Sequence, residues 1–270
     1  MTKKLLCAAK VNLVLSIPKR YKDGYHEVCT VMQTVGLYDR ISVKKADGIT
    51  VVSEKSPCGE DNICYKAAEL FKDFGGARIE INKGIPLLSG LGGGSSDAAG
   101  TMLALNSLYG EPFSVEELEK MSISLGSDVP FFIRGGTQLV SGKGDVLEQL
   151  PAYGAFFVLI KHGAKKSTGQ MYGELDSIGL LDRTEEVNDF CNDISKGTLF
   201  NDFERVFPCD EVLSDLRSCG ARDACLSGSG PTAFGIFTSI EAANECKDRL
   251  KEKYSEIYVC PAVDSGIIFE

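Results

Sequence analysis

The chain has 270 residues, of which 29 are lysine or arginine and 38 are aspartate or glutamate, so its formal net charge is −9. This acidic balance argues against a nucleic-acid or anionic-membrane surface as partner, because both attract cationic proteins. With 43% hydrophobic and 25% charged residues, the composition is that of a globular protein with one large core or two packed domains. No apolar run approaches the roughly 20 residues of a membrane-spanning helix.

The first nine residues imitate the charged start and apolar body of an export signal, but Lys10 and Asn12 interrupt the apolar stretch too early. We therefore expect a cytoplasmic protein. Its ten cysteines are expected to be buried free thiols, since no two of them form a CxxC pair. The chain has only two histidines, His26 and His162, which excludes a histidine-rich metal site.

The beginning of the chain is typical of β-structure. Extended stretches are predicted at residues 5–17, 25–35 and 41–52. Lys10 and Asn12 lie on the same face of the first stretch, because alternate residues of a strand point the same way. A turn that ends in Asp23-Gly24 joins the first two stretches into a hairpin, and Asp47-Gly48 divides the third.

Helical spacing begins at Asn62 and ends at the paired Gly75-Gly76, and a strand is predicted at residues 77–81. Further helices are predicted at residues 95–109 and 114–126. The second of these begins with a capping box of Ser114 and Glu117. The apolar residues that come after Asp128 are predicted to form a strand.

The pattern changes at Leu150-Pro151, and we place a domain boundary there, which gives domains of residues 1–150 and 151–270. Strands are then predicted at 156–160, 224–226, 232–237 and 257–260, with loop plus helix at 163–195 and a helix at 240–254. Alternating strands and helices beside an antiparallel first half predict an α+β protein in two parts.

The most specific feature is a glycine-rich run that leads directly into the helix predicted from residue 95. We call it the glycine loop, and it consists of Pro86, Leu87, Leu88, Ser89, Gly90, Leu91, Gly92, Gly93, Gly94, Ser95 and Ser96. Missing side chains let backbone N–H groups approach an anion, and a helix N-terminus adds free donors and the positive end of its dipole. The loop therefore predicts a phosphate site, with a flexible linker as the alternative.

Two common phosphate-binding classes do not fit this loop. A P-loop requires GxxxxGK[ST], and Gly142-Lys143 is followed by Gly144 rather than by Ser or Thr. A dinucleotide fingerprint needs a third glycine where Ser95 stands. Such a fingerprint also runs directly off a buried strand, and this loop does not.

Lys10 and Asp128 are the candidate reacting pair. A lysine on an otherwise apolar strand is costly unless it is paired or lines a site. Asp128 alone is typical of a turn or capping residue, yet an aspartate in this setting can accept a proton from a substrate hydroxyl. A lysine–aspartate pair beside a phosphate loop indicates kinase chemistry. Tyr25 and His26 offer a stacking surface and an imidazole, although a surface hairpin explains them equally well.

Four segments, in this order, resemble the GHMP kinase superfamily. They are Ala9-Lys10-Val11-Asn12-Leu13, Asp23-Gly24-Tyr25-His26-Glu27, the glycine loop with Asp97-Ala98-Ala99, and Leu125-Gly126-Ser127-Asp128-Val129-Pro130. The glycine loop is shared across the superfamily, whereas the first two segments point to the members that act on a cytidyl substrate. The resemblance implies a two-domain α+β GHMP kinase fold. Its N-terminal domain is like ribosomal protein S5 domain 2, its C-terminal domain is ferredoxin-like, and the site lies between them.

The same resemblance implies a reaction. The γ-phosphoryl group of ATP would pass to the 2-hydroxyl of 4-diphosphocytidyl-2-C-methyl-D-erythritol, in the non-mevalonate route to isoprenoids. Asp128 would be the base and Lys10 its partner, with Asn12 lining the site. Tyr25 would stack on the cytosine, and His26 would hydrogen-bond its edge.

Three further assignments depend on the resemblance. The glycine loop would wrap the ATP phosphates, and Tyr172 is the candidate for a second aromatic over the cytosine. Mg²⁺ is expected with ATP, with Ser95, Ser96 and Asp97 as candidate ligands.

Two other interpretations remain open at this point. Another GHMP kinase, acting on homoserine or mevalonate, would keep the glycine loop but has no use for Tyr25 and His26 as a cytosine platform. A catalytically silent nucleotide-binding protein would carry both Lys10 and Asp128 by coincidence.

Overall fold

The computed structural model describes residues 1–270 and contains twelve strands and eight α-helices. The strands are β1 Thr2–Ser16, β2 Cys29–Ala46, β3 Thr50–Ser53, β4 Gly76–Asn82, β5 Thr137–Ser141, β6 Val146–Gln149, β7 Phe156–Lys161, β8 Phe200–Asn201, β9 Ala224–Leu226, β10 Thr232–Phe237, β11 Ile257–Pro261 and β12 Ile267–Phe269. The helices are α1 Ile63–Glu69, α2 Gly93–Leu108, α3 Val115–Ser122, α4 Val129–Arg134, α5 Thr168–Ile178, α6 Thr184–Asn192, α7 Asp210–Ser218 and α8 Ile240–Leu250. No helix has the length and apolar character needed to cross a membrane.

An eight-stranded sheet forms the first layer. Its main path runs β12-β1-β2-β4-β3, while β5 and β6 extend from β2, and β8 lies beside β1. The long antiparallel β1–β2 pair confirms the predicted hairpin, and its register shifts between Asn12 and Val14. Helix α2 packs on this sheet, where Met102 and Leu105 join a core with Leu5 and Ile41.

A four-stranded antiparallel sheet in the order β11-β7-β10-β9 forms the second layer. When these four strands are numbered in chain order, the sheet has the order 4-1-3-2, which is that of a ferredoxin-like sheet. The predicted ferredoxin-like arrangement is therefore confirmed. Strand β7 shows why its sequence is apolar throughout. Val158 and Ile160 share a core with helices α7 and α8, whereas Phe157 and Leu159 face a core shared with β1 and β2.

The two sheets therefore sandwich a common core, and the predicted α+β class is confirmed. The change from first to second sheet falls between β6 and β7, close to residue 150. Strands β8 and β12 return to the first sheet from the later part of the chain. The division into residues 1–150 and 151–270 stays a prediction.

Several local predictions were wrong. The apolar run after Asp128 is helix α4 rather than a strand: Pro130 lies in the first turn, where a missing N–H costs no bond, and Phe131 and Phe132 are fully buried. Residues 29–46 form one continuous strand, and the stretch at 163–195 contains two helices, α5 and α6. All ten cysteines are free, but Cys58 is exposed.

Candidate active site

A cavity of about 1420 Å³ lies where the glycine loop, β1, the start of α5 and the turn between β9 and β10 meet. A pocket for one drug-sized ligand has about 300–1,000 Å³, so this cavity has room for more than one such molecule. Every predicted site residue lines it except Leu91, Ser96 and Asp97, which are buried beneath the surface of the loop. The structure thus brings together residues that are up to 162 positions apart, from Lys10 to Tyr172.

Lys10 occupies the centre of the cavity wall on β1, with 3% of its surface exposed. Its Nζ donates a 2.7 Å hydrogen bond to Asn12 Oδ1, which confirms that the two residues share a face. Asn12 Nδ2 in turn donates to Thr30 Oγ1 at 3.0 Å on the neighbouring β2. This chain of bonds fixes the lysine head at one point, because each partner is itself bonded to the sheet.

Asp128 lies opposite Lys10, with Oδ2 3.6 Å from the lysine Nζ and 32% of its side chain exposed. It precedes α4 at the cap position, yet its carboxylate accepts no bond from the first turn of that helix. The short connection from α3 therefore places a carboxylate at the cavity that is not used in capping. Such a group is free to accept a proton from a bound hydroxyl.

The glycine loop runs into α2 as predicted. The first intrahelical bond runs from Ser96 N to Gly92 O, so the N–H groups of residues 93–95 precede the hydrogen-bonded ladder. Gly92 has φ of +73°, and a Cβ there would lie 2.7 Å from Phe132 Cζ. Only glycine allows this approach, which opens the helix N-terminus toward the cavity.

Both sheets hold the glycine loop in place. Lys10 N donates to Leu91 O at 2.9 Å from the first sheet, and Thr232 N donates to Ser89 O at 3.1 Å from the second. Ser227 Oγ adds a 3.1 Å bond to Gly90 O. The loop is therefore an ordered cradle in this structure, and the linker alternative loses its support.

Tyr25 and His26 also line the cavity. Tyr25 is 65% exposed, with the Lys143 ammonium 4.9 Å from its ring centre. His26 is largely buried, and its ring stacks on Tyr172 with centres 4.4 Å apart. Tyr172 also meets Phe203 edge to face, and burial raises the pKa of its hydroxyl to about 12. These aromatic rings form an apolar wall that suits a flat ring system.

Asp176 is a site residue that the sequence analysis missed. Its Oδ1 lies 2.8 Å from His26 Nε2, and its Oδ2 accepts a 3.1 Å bond from Arg20. Because a carboxylate only accepts, the neutral form of the His26 imidazole has its hydrogen on Nε2 and leaves Nδ1 as an acceptor. The one-turn spacing of Tyr172 and Asp176 places both side chains on one face of α5, but no pattern in the sequence links Asp176 to His26, 150 positions away.

Asp39, Lys83 and Asp97 form a buried cluster directly beneath the glycine loop, which the sequence analysis also missed. Lys83 Nζ donates to a carboxylate oxygen of Asp39 and, at 2.8 Å, to Asp97 Oδ2. Asp39 Oδ1 further accepts from the backbone N–H groups of residues 84 and 85, which immediately precede the loop. Burial raises the pKa of Asp97 to about 8, against the opposing field of Lys83. The cluster ties the start of the loop to β2 and α2.

The cluster also limits which residues suit a metal ion. Of the three candidates for Mg²⁺, Ser95 alone lines the cavity, whereas Ser96 and Asp97 are buried. Asp97 already uses Oδ2 on Lys83, so it does not suit a ligand at the loop surface. No group of three or more His, Cys, Asp or Glu side chains forms a metal site. The residues present therefore fit a Mg²⁺ ion that is coordinated mainly by phosphate oxygens and water.

Comparison with known proteins gives the same picture. The models "GHMP kinases N terminal domain" and "GHMP kinases C terminal" match residues 62–136 and 207–256. The 4-diphosphocytidyl-2-C-methyl-D-erythritol kinase of Caldanaerobacter subterraneus subsp. tengcongensis is 35% identical over 277 residues, covering 96% of each chain. The chain belongs to this kinase family. A crystal structure of a 4-(cytidine 5'-diphospho)-2C-methyl-D-erythritol kinase superposes with a TM-score of 0.82 at 31% identity, covering 96% of this chain and 98% of that one.

The likeness to other GHMP kinases is weaker. A homoserine kinase from Cytophaga hutchinsonii superposes with a TM-score of 0.69 at 19% identity, covering 100% of this chain and 97% of that chain. That degree of identity shows the shared fold alone. Within the superfamily, the comparisons therefore favour the 4-diphosphocytidyl-2-C-methyl-D-erythritol kinase family over the homoserine type, and a kinase of this family uses ATP as co-substrate.

Proposed function

We propose that this chain transfers the γ-phosphoryl group of ATP to the 2-hydroxyl of 4-diphosphocytidyl-2-C-methyl-D-erythritol, a step of non-mevalonate isoprenoid biosynthesis. One observation carries the proposal: a single cavity holds the glycine loop, the Lys10–Asp128 pair and the Tyr25–His26 platform. Phosphate cradle, base and nucleobase platform are the three parts that this reaction requires. The ten free cysteines support the cytoplasm as its compartment.

Asp128 takes the proton of the 2-hydroxyl as that oxygen attacks the γ-phosphorus, and the bond to the β-phosphate oxygen breaks to release ADP. Lys10, 3.6 Å from Asp128, orients the carboxylate and offsets negative charge that develops on the transferred group. Asn12 holds Lys10 and presents its amide to the same space.

The glycine loop, residues 86–96, binds the ATP phosphates through the N–H groups at the start of α2. Mg²⁺, when bound with ATP, neutralises charge on the phosphates, and Ser95 is the loop hydroxyl that would reach it. Tyr25 stacks on the cytosine, and His26 presents Nδ1 to the amino edge of the base, since Nε2 is engaged by Asp176. Tyr172 is the second aromatic of this wall, behind His26.

The deciding experiment is phosphoryl transfer from Mg-ATP to the cytidyl substrate, run beside homoserine and mevalonate. We expect transfer to the cytidyl substrate alone. Asp128→Asn keeps the shape of the side chain but cannot accept the proton, so kcat falls about 10²- to 10⁴-fold while ATP binding is retained. Asp73→Asn, the same change at an exposed position outside the cavity, is the control and keeps its activity.

Each other outcome names a different function. Transfer to homoserine or mevalonate would keep the kinase and refute the cytosine platform of Tyr25 and His26. Absence of transfer to all three acceptors, with ATP still bound, would leave a nucleotide-binding protein. An Asp128→Asn variant as active as the parent would refute the base.

A further inference from the structure

Lys165, between β7 and α5, is the one cation of the cavity wall that has no carboxylate within 4 Å. The other four basic side chains of the wall are each paired with an acid: Lys10 with Asp128, Arg20 with Asp176, Lys83 with Asp39 and Asp97, and Lys143 with Asp23. A positive charge that the protein does not compensate, facing a ligand cavity, points to an anionic ligand.

The Lys165 ammonium is held in position by neutral acceptors only. Its Nζ donates to Ser229 O at 3.0 Å, to Ser229 Oγ at 2.7 Å and to Gly230 O at 2.6 Å. These bonds orient the head without neutralising it. Partial burial and the nearby charge of Lys10 lower the pKa of the amine to about 8, so an anion at this point would favour its charged form.

Lys165 is linked through Ser229 to two parts of the cavity. Ser229 Oγ lies 3.2 Å from Thr168 Oγ1, one turn before Tyr172 in the aromatic wall. Gly228, the residue before Ser229, lies beside Lys10, since a Cβ there would lie 3.2 Å from Lys10 Nζ. Through Ser229, Lys165 is therefore close both to the aromatic wall and to the lysine of the reacting pair.

The order of groups in a cytidine diphosphate ester matches this arrangement of the aromatic wall, Lys165 and Lys10. The base is at one end, the alcohol that reacts is at the other, and the diphosphate joins them. The ATP phosphates have their own donors at the glycine loop, so Lys165 is left for the second anionic group.

We propose that Lys165 binds the diphosphate of the cytidyl substrate and thereby selects a nucleoside diphosphate ester over a free alcohol. This inference rests on the proposed function. An ammonium has three donors, and exchanging one neutral acceptor for a phosphate oxygen gives the lysine a partner of opposite charge.

The test is Lys165→Met, with the neighbouring Lys166→Met as the matched control. Lys166 donates to Glu174 Oε2 and Val206 O and does not line the cavity. Binding of CDP and of cytidine is measured by titration calorimetry, together with KM for the cytidyl substrate and for ATP. We expect Lys165→Met to weaken CDP binding and raise KM for the cytidyl substrate about 10- to 100-fold, since bonds to charged groups contribute this much.

Cytidine affinity and KM for ATP should stay unchanged in Lys165→Met, and Lys166→Met should match the parent in all four quantities. Lys165→Arg should recover most of the CDP affinity. A merely structural role, through the Ser229 turn, would weaken CDP and cytidine alike and would overturn the inference. An increase confined to KM for ATP would assign the charge to the ATP phosphates instead, which also refutes it.

The proposed function fails differently from this inference. A parent protein that binds neither CDP nor cytidine and does not turn over the cytidyl substrate refutes the function, and the inference with it. A parent that binds CDP and turns over the substrate, beside an unchanged Lys165→Met variant, refutes the inference alone.

Discussion

Two groups of charged side chains lie on either side of the glycine loop, and they differ in how their charge is balanced. Beneath the loop, Lys83 bonds two carboxylates, Asp39 and Asp97, and all three side chains are almost completely buried. In the cavity, Asp128 is one-third exposed and 3.6 Å from Lys10, and Lys165 has no acidic partner. In the first group the charge of Lys83 is balanced by acids of the protein, whereas in the second group the charge of Lys165 is not.

The difference separates a structural role from a binding role. Burying ions is costly, and only complete hydrogen bonding offsets that cost. In the cluster beneath the loop, Lys83 and Asp39 are hydrogen-bonded within the protein and fix the turn at residues 84–85, and only Asp97 Oδ1 has no partner. In the cavity, Asp128 accepts no capping bond and Lys165 has no carboxylate partner, so both side chains are available to ligands. Changes beneath the loop should therefore reduce stability, and changes in the cavity should reduce binding or turnover.

Lys83→Met gives the largest expected loss of stability, because it leaves the buried Asp39 carboxylate without its cation and Asp97 without its hydrogen-bond donor. Breaking a buried ion pair costs about 3–5 kcal/mol of unfolding free energy. Urea unfolding followed by circular dichroism measures it. Lys196→Met, which removes an exposed lysine paired with Asp193, is the control and should change the unfolding free energy by less than about 1 kcal/mol. Equal stability of the two variants would contradict the structural role of the cluster.

Much of this arrangement could be predicted from the sequence, because the pattern that carries it is local. The glycine loop and its helix are contiguous, and alternate positions of one strand place Lys10 beside Asn12. For Asp128, the sequence indicated only that the residue follows the helix predicted at residues 114–126. The strand prediction for the residues after Asp128 was wrong, because a short apolar run does not by itself distinguish a buried strand from a buried helix.

The rest depended on contacts between distant segments. His26 and Asp176 are 150 positions apart, and Lys165 meets Ser229 across 64. In the sequence Lys83 resembles an ordinary charge before a turn, since its two carboxylates come from β2 and α2. No local pattern specifies such pairs, because they result from the way the two sheets and their loops pack.

Tyr25→Ala tests the cavity side of the comparison. The ring is exposed, so its loss should leave the unfolding free energy nearly unchanged but remove a stacking surface for the cytosine. A base on an aromatic ring contributes about 1–3 kcal/mol, so KM for the cytidyl substrate should rise roughly 10- to 100-fold. Steady-state kinetics at saturating ATP measure it.

Tyr21→Ala is the matched control, because Tyr21 also lies beneath the Lys143 ammonium but does not line the cavity. It should leave KM unchanged. An unchanged KM in Tyr25→Ala would indicate that the substrate carries no base that stacks on this ring.

Asp97→Asn gives the smallest expected effect, and it concerns the pH dependence of stability. Because burial raises the pKa of Asp97 to about 8, the folded protein keeps a proton that the unfolded chain releases above about 4. The contribution of Asp97 to the unfolding free energy is therefore present at low pH. It is lost as the pH rises toward 8, by at most about 1.4 kcal/mol per pH unit. The amide cannot titrate but can still accept from Lys83.

The measurement is the unfolding free energy of parent and variant at pH 5.5, 6.5 and 7.5. The parent should lose stability more steeply than Asp97→Asn, while Asp47→Asn, at an exposed turn, should match the parent. Parallel curves for parent and Asp97→Asn would mean that Asp97 is ionised over this range. The cluster would then carry a net negative charge beneath the loop that receives the ATP phosphates. The helix N-terminus would have to bind those phosphates against a buried like charge, which is the situation that a protonated Asp97 avoids.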